Sequence, residues 1–295
     1  MTDFYTKVGQ NKELFEAYKN LRKQNLNDEQ AQAVTKAIKG FEASGVDLKE
    51  SKRQRLQQIS QELAQLSTKF ENNVLDATMG WIYSTDDINE LQGLPQSTID
   101  AAIEKAKQKE TTEKYALGID IPTYIAVMQQ ANNRSLREKF YKACCTKASK
   151  NAHETKFDND DIIQKTLELR IEKSNILGFD SYAEYSLYTK MAETPNQVLE
   201  LLNNLLEKSK SQARGEIKEL RDFAKSIDLD DALKPWDVSY YSEKLKKAKY
   251  DFTAEELREY FPLEKVQSGL FEILNKIYGL EVKENTSYEK YIPEQ

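Results

Sequence analysis

Apolar positions along this chain recur mostly at spacings of three and four, the period of amphipathic helices. The clearest run is Leu56, Ile59, Leu63, Leu66, Phe70, Asn73 and Ala77. These positions share one stripe of a long helix, expected from about Leu48 to Ala77. Two helices are expected ahead of it, Asn11 to Lys23 and Asp28 to Ala43, with Gly45 as the stop of the second. Thr78 to Ser84 breaks the period, and Trp81-Ile82-Tyr83 reads as a short strand. Helix returns from Ser97 to Lys109 behind Pro95, and Lys114 to Asp120 reads as a second short strand. One hairpin or small sheet is therefore expected, and the region near residues 80–120 is the one weak candidate for an internal boundary.

Pro122 stands at the start of a further helical run, a tolerated position because the first N–H of a helix has no partner to lose. Leu136, Phe140, Tyr141 and Cys144 form an apolar helical face. Asp160 to Leu177 reads as helix with Gly178 as its stop. Pro195 to Ile227 is a long helix with Val198, Leu202, Leu205, Ile217, Leu220 and Ala224 largely on one side. Pro235 interrupts, and Val266, Leu270, Ile273, Leu274 and Ile277 define a last helix ended by Gly279. The expectation is an all-α, mainly α fold with at most a minor β-hairpin, running as one helical portion over residues 1–295. No repeat of fixed period counts toward a solenoid, and no low-complexity linker divides the chain. The Leu56–Ala77 stripe is short for a coiled coil and carries Asn73, so a packed bundle helix explains it better.

Composition narrows the function classes. Only ten glycines and six prolines interrupt 295 residues, which fits a helical protein. The net charge of −6, with no basic stripe, argues against nucleic acid as a partner. No apolar run is long enough to span a membrane, so no membrane association is expected. No signal peptide is visible at the amino terminus, and adjacent Cys144 and Cys145 form no disulfide framework. A reducing cytoplasmic compartment is expected.

The most restrictive feature is a single histidine, His153. Catalytic zinc sites draw mostly on histidines, and so does proton transfer near neutral pH. The string His153-Glu154-Thr155-Lys156-Phe157 has Phe where a second zinc ligand would stand. A Cys144–His153 dyad can be drawn, since a thiolate needs a neighbouring base or positive charge. A solvated loop histidine and two thiols packed as small hydrophobes account for the same residues without chemistry. Asp158, Asp160 and Asp161 cluster, as do Asp228, Asp230 and Asp231, but neither group has a calcium-loop glycine and terminal Glu. Helix capping by Asp158 or Asn159 explains the first cluster. Glycines never cluster into a phosphate-cradling loop. Trp236-Asp237-Val238-Ser239-Tyr240-Tyr241 is the most distinctive aromatic string and suits a cleft wall, although core packing is the commoner fate of such residues.

Phe41 to Leu48, Asn72 to Thr78, Asp120 to Tyr124, Leu177 to Phe179, Lys190 to Ala192 and Trp236 to Tyr241, in that order, resemble segments of the thimet oligopeptidase family of zinc metallopeptidases. Phe41 to Leu48 resembles the opening of that family's long helix, and Asn72 to Thr78 resembles its close. Asp120-Ile121-Pro122-Thr123-Tyr124, Leu177-Gly178-Phe179 with Tyr182-Ala183, and Lys190-Met191-Ala192 follow. Trp236 to Tyr241, Tyr260-Phe261-Pro262 and Tyr278-Gly279-Leu280 complete the series. Each motif alone is weak; their common order along the whole chain is specific. The resemblance implies a mostly helical fold and hydrolysis of short peptides in a deep channel between two lobes. It implies Zn2+ held by the two histidines of His-Glu-x-x-His and a downstream Glu, with the motif's own Glu activating the metal-bound water.

No His-Glu-x-x-His occurs here, so no zinc ligand can be carried onto any residue of this chain. The sequence resembles the channel-wall lobe that precedes the metal-binding segment. The expectation is a chain that binds no catalytic zinc and is inactive alone. Its partners would be short peptides and the missing catalytic half, and Trp236, Asp237, Tyr240 and Tyr241 would face the groove. Surface meant for the other half would then be exposed and favour self-association. The competing expectation is a non-enzymatic helical scaffold or peptide-binding interaction module.

Overall fold

The computed structural model describes residues 2–251, 256–257, 259–284 and 287. Among them are twelve α-helices and one two-stranded sheet, a mainly α fold as the periodicity predicts. The chain divides into two compact units, Met1–Tyr240 and Tyr241–Gln295.

The first unit opens with α1 (Thr2–Gly9), α2 (Lys12–Leu21) and α3 (Asp28–Ala43). Asn11 caps α2 by accepting from the Leu14 N–H. Asn27 and Gln30 form a reciprocal capping box at the start of α3, which satisfies two donors that the helix itself leaves orphaned. The pair packs around Phe15, Val34, Ile38, Phe41 and Val46, all buried. Gly45 takes φ +77 after α3, the left-handed conformation that terminates helices.

The long helix is α4 (Glu50–Gly80). It starts after Lys49, which is extended, and runs past Ala77 to Gly80, with the Thr78 hydroxyl donating back to the Val74 carbonyl at 2.7 Å. Phe41 to Leu48 therefore forms the end of α3 and a turn rather than the opening of the long helix. α4 packs against α8 (Asp160–Leu177). Asn73, the polar member of the stripe, donates to Asn159 at 2.8 Å, and Asn159 in turn donates to the Phe70 carbonyl at 3.2 Å. Asn159 is 1% exposed, so this exchange satisfies a buried amide and sets the pairing of the two helices. Arg55 grips Glu172 bidentately, Nε and Nη2 donating to its two carboxylate oxygens at 2.6 and 2.7 Å. Both side chains are about a third exposed or more, so the pair sets geometry more than stability.

The strands are β1 (Ile82–Thr85) and β2 (Tyr115–Gly118), antiparallel, with Ile82 opposite Gly118 and Thr85 opposite Tyr115. They are joined not by a tight turn but through a 3₁₀ turn (Ile88–Leu91) and α5 (Gln96–Gln108). The small sheet lies inside the first unit and contributes Tyr115 and Leu117 to the main core. That core also holds Leu91, Val127 of α6 (Ile121–Gln130), and Leu136 and Phe140 of α7 (Arg134–Thr146). Trp81 meets Phe140 edge-on at 4.9 Å between ring centroids. Each such side chain, fully buried, contributes roughly 1.5–3 kcal/mol.

Two short helices, α1 and α9 (Tyr182–Leu187), add to those that the sequence predicts. α10 (Pro195–Ile227) matches the expected span. Its stripe is not buried along its length: Leu220 and Ala224 are, whereas Leu202, Leu205 and Ile217 are 54%, 55% and 42% exposed. Pro235 does not simply interrupt; it is the first residue of α11 (Pro235–Tyr250), within which the two units divide. In the second unit, α12 (Leu263–Tyr278) ends at Gly279 with φ +67. Its apolar face is open as well, with Leu270, Ile273 and Ile277 each more than half exposed.

Candidate functional site

The expected groove residues gather where the start of α11 meets the start of α7. Asp237 is fully buried. Its carboxylate accepts from Arg134 Nη2 at 2.7 Å and Nε at 3.0 Å, and from Arg137 Nη2 at 3.2 Å. It also reaches back to the Lys234 N–H at 3.0 Å, closing the first turn of α11 as an acidic helix-start residue does. Arg137, 1% exposed, spends its other donors on the Ala131, Asn132 and Trp236 carbonyls at 2.7, 3.2 and 3.2 Å. Its guanidinium lies 3.9 Å from the Tyr240 ring centre, and the Tyr240 hydroxyl donates to Asn132 Oδ1 at 3.0 Å.

Burial pushes the Asp237 carboxyl up, but the donors from Arg134, Lys234 and Arg137 outweigh it, so the group titrates below its ordinary range. A carboxylate this well paired and closed to solvent is no proton donor and no nucleophile; it pins α11 to α7. Tyr240 and Tyr241 are also buried, at 4% and 3% exposure. Of the four expected groove residues only Trp236 is partly exposed, tilted against Tyr141 at 5.9 Å with Lys142 Nζ 5.8 Å from its ring.

The sequence reading missed the partners, Asn132, Arg134 and Arg137. A signal was available: two arginines at i and i+3 in the first turn of a helix oppose the macrodipole, so a carboxylate must face them. Asn133 marks that helix start by accepting from the Leu136 N–H at 3.2 Å.

The other candidates carry little chemistry. His153 is exposed in the loop after α7 and lines a pocket with Ala143, Thr146 and Lys147, whereas neither cysteine is among the lining residues. Burial pushes the Cys144 thiol up, and the neighbouring Cys145 adds to this against the opposing pull of Lys147. Iodoacetamide at pH 7 is therefore expected to alkylate Cys144 more slowly than an unstructured thiol, read by mass spectrometry of the intact chain; faster labelling would restore a nucleophilic role. Asp158 Oδ1 accepts from the Asp160 N–H at 3.0 Å, a helix-start contact, and Asp231 pairs with Arg134 at 3.5 Å. Among the described residues no three His, Cys, Asp or Glu side chains form a group that could hold a metal. Nor, among them, is any helix long and apolar enough to cross a membrane.

Comparison with known proteins places this architecture. A family profile described as Peptidase family M3 matches residues 127–294. The chain is 42% identical to oligopeptidase A of Salmonella typhimurium, over all of this chain and 44% of that relative. It is 38% identical to the probable cytosolic oligopeptidase A of Arabidopsis thaliana, over 95% of this chain and 41% of the relative. Similarity extends to the dipeptidyl carboxypeptidase of Escherichia coli, at 26% over 91% of this chain and 39% of the relative. The chain thus spans less than half the length of the curated relatives it matches. With over half of its length matched by the family profile, the chain belongs to Peptidase family M3.

Proposed function

We propose that this chain is the helical channel-wall portion of a zinc-dependent oligopeptidase of the cytoplasm, acting on short peptides. The observation that carries the reading is similarity at 42% identity over the whole chain to less than half of an oligopeptidase A. The donor set present does not fit the family's zinc: one exposed histidine and two adjacent cysteines stand apart from any metal-sized cluster among the described residues. No catalytic step is therefore routed through this chain. Its contribution is shape, and the remaining portion of the enzyme would supply the metal.

The open apolar stripes of α10 and α12 support a role in contacting that remaining portion, because contiguous apolar surface of this kind marks interaction faces. Among the four groove residues, Trp236 supplies the peptide-facing surface in this reading, while Asp237 and Tyr240 hold the start of the helix that carries it.

The test is cleavage of a quenched fluorescent peptide by the purified chain, with zinc added and with a chelator control. No chelator-sensitive turnover is expected. Turnover above that of a mock purification, abolished by chelator, would mean a metal site assembled without His-Glu-x-x-His, and the proposed division of labour would be wrong. The same assay with the remaining portion of oligopeptidase A from Salmonella typhimurium added separately is expected to show turnover that the chain alone lacks.

A further inference from the structure

The first unit contains a pocket of about 260 Å³ between the carboxyl ends of α4 and α7 and the loop that carries His153. Its apolar walls are Trp81 and Phe157, with Ala77, Ile119 and Ala143 behind them. Its polar rim is Thr146, Lys147, His153 and Glu154. Nothing in the proposed peptidase role uses any of these side chains.

Two features make this a built recess. Trp81 is held edge-on against buried Phe140, so one wall is fixed before any ligand arrives. Phe157 is steadied from outside by Lys156, whose ammonium lies 4.7 Å from the ring centre.

The charge pattern selects the ligand. α4 ends at Gly80 and α7 at Thr146, so two helix carboxyl termini, each carrying partial negative charge, converge on one recess. Glu154 adds a full negative charge; its neighbours Lys156, at 2.9 Å, and His153 hold its carboxyl below the usual range. Glu154 on the rim offers a partner to an ammonium group. Lys147 and His153 on the rim offer donors to a carboxylate. The volume is below the roughly 300–1,000 Å³ of clefts that take drug-sized ligands, so the occupant is small.

We propose that this pocket binds a free α-amino acid with an apolar side chain. The side chain lies between Trp81 and Phe157, the α-ammonium pairs with Glu154, and the α-carboxylate with Lys147 or His153. The inference stands on this unit alone and does not depend on the peptidase reading.

Isothermal titration calorimetry of the full chain with L-phenylalanine tests it. Saturable binding is expected, weakened at least tenfold for 3-phenylpropionate, which lacks the ammonium, and for phenethylamine, which lacks the carboxylate. Glu154→Gln, at an exposed position, is expected to weaken L-phenylalanine binding at least fivefold, and Ala143→Phe to abolish it by filling the recess. Circular dichroism confirms that both variants fold; should Ala143→Phe not fold, Glu154→Gln and the two analogues decide. No saturation by L-phenylalanine at 10 mM overturns the proposal, as does either analogue binding as well as the amino acid, or Glu154→Gln binding unchanged.

Discussion

Replacing Asp237 with alanine is expected to lower the unfolding free energy by about 3–5 kcal/mol, the penalty for removing one partner of a buried ion pair. The loss arises less from the carboxylate itself than from what it leaves behind. Arg137 is 1% exposed and cannot swing into water, so its positive charge would remain buried beside the Tyr240 ring. The Lys234 N–H at the start of α11 would lose its acceptor too. Arg134, with its side chain 35% exposed, can rehydrate, so Arg134→Met should cost markedly less. Urea unfolding followed by tryptophan fluorescence checks both, with Trp236 adjacent to the network as the reporter. A cost below about 1 kcal/mol for Asp237→Ala would show that Arg137 finds solvent and that the network does not hold α11 in place.

The same network has a pH signature. Asp237 titrates below its ordinary range in the folded chain, whereas its unfolded value is near 3.9. Its stabilisation is thus complete above about pH 4 and is lost as pH falls through the folded value. Asp237→Ala should remove that part of the acid limb while leaving the response between pH 6 and 8 unchanged.

Gly93→Ala is the second large effect expected. Gly93 has φ +91, a conformation that side chains rarely adopt. A β-carbon there would stand 2.2 Å from the Gln130 carbonyl oxygen and 2.9 Å from Asn132 Oδ1. The carbonyl is backbone and cannot rotate away. Conformational strain of roughly 1–3 kcal/mol therefore adds to an overpacking cost of similar size. The clash also reaches the Asn132 oxygen that accepts from Tyr240, so the damage spreads into the Asp237 network. Gly178→Ala is the control: its φ of +84 carries similar strain, but nothing lies within 4 Å of an added β-carbon. Thermal unfolding should show a substantially larger loss for Gly93→Ala than for Gly178→Ala. Equal losses would mean that strain alone acts and that the approach of residues 92–93 to residues 130–132 is loose.

Most helices were legible because their signals are local. Asn11 and Asn27 cap, Gly45, Gly178 and Gly279 stop, and the three-and-four spacing between them defines the faces. The short strands were legible as breaks in that period around Trp81 and Lys114. The candidate site was legible only in half. Trp236 to Tyr241 stands out by composition, but the arginines that bury Asp237 lie about a hundred residues earlier, in a helix that reads as an ordinary amphipathic one.

By itself the sequence determined the helical class, the positions of most elements and the presence of a single histidine, because propensity, capping and residue inventory need no knowledge of neighbours. The resemblance to the oligopeptidases was also legible there, in the order of its motifs. Tertiary structure alone decided which apolar stripes are covered. Those of α10 and α12 have the same periodicity as that of α4, yet most of their leucines and isoleucines remain open, because burial depends on which surface meets them. It alone turned Asp237 from a residue expected in a groove into a buried link between α7 and α11, since a carboxylate's role follows from the charges that close around it.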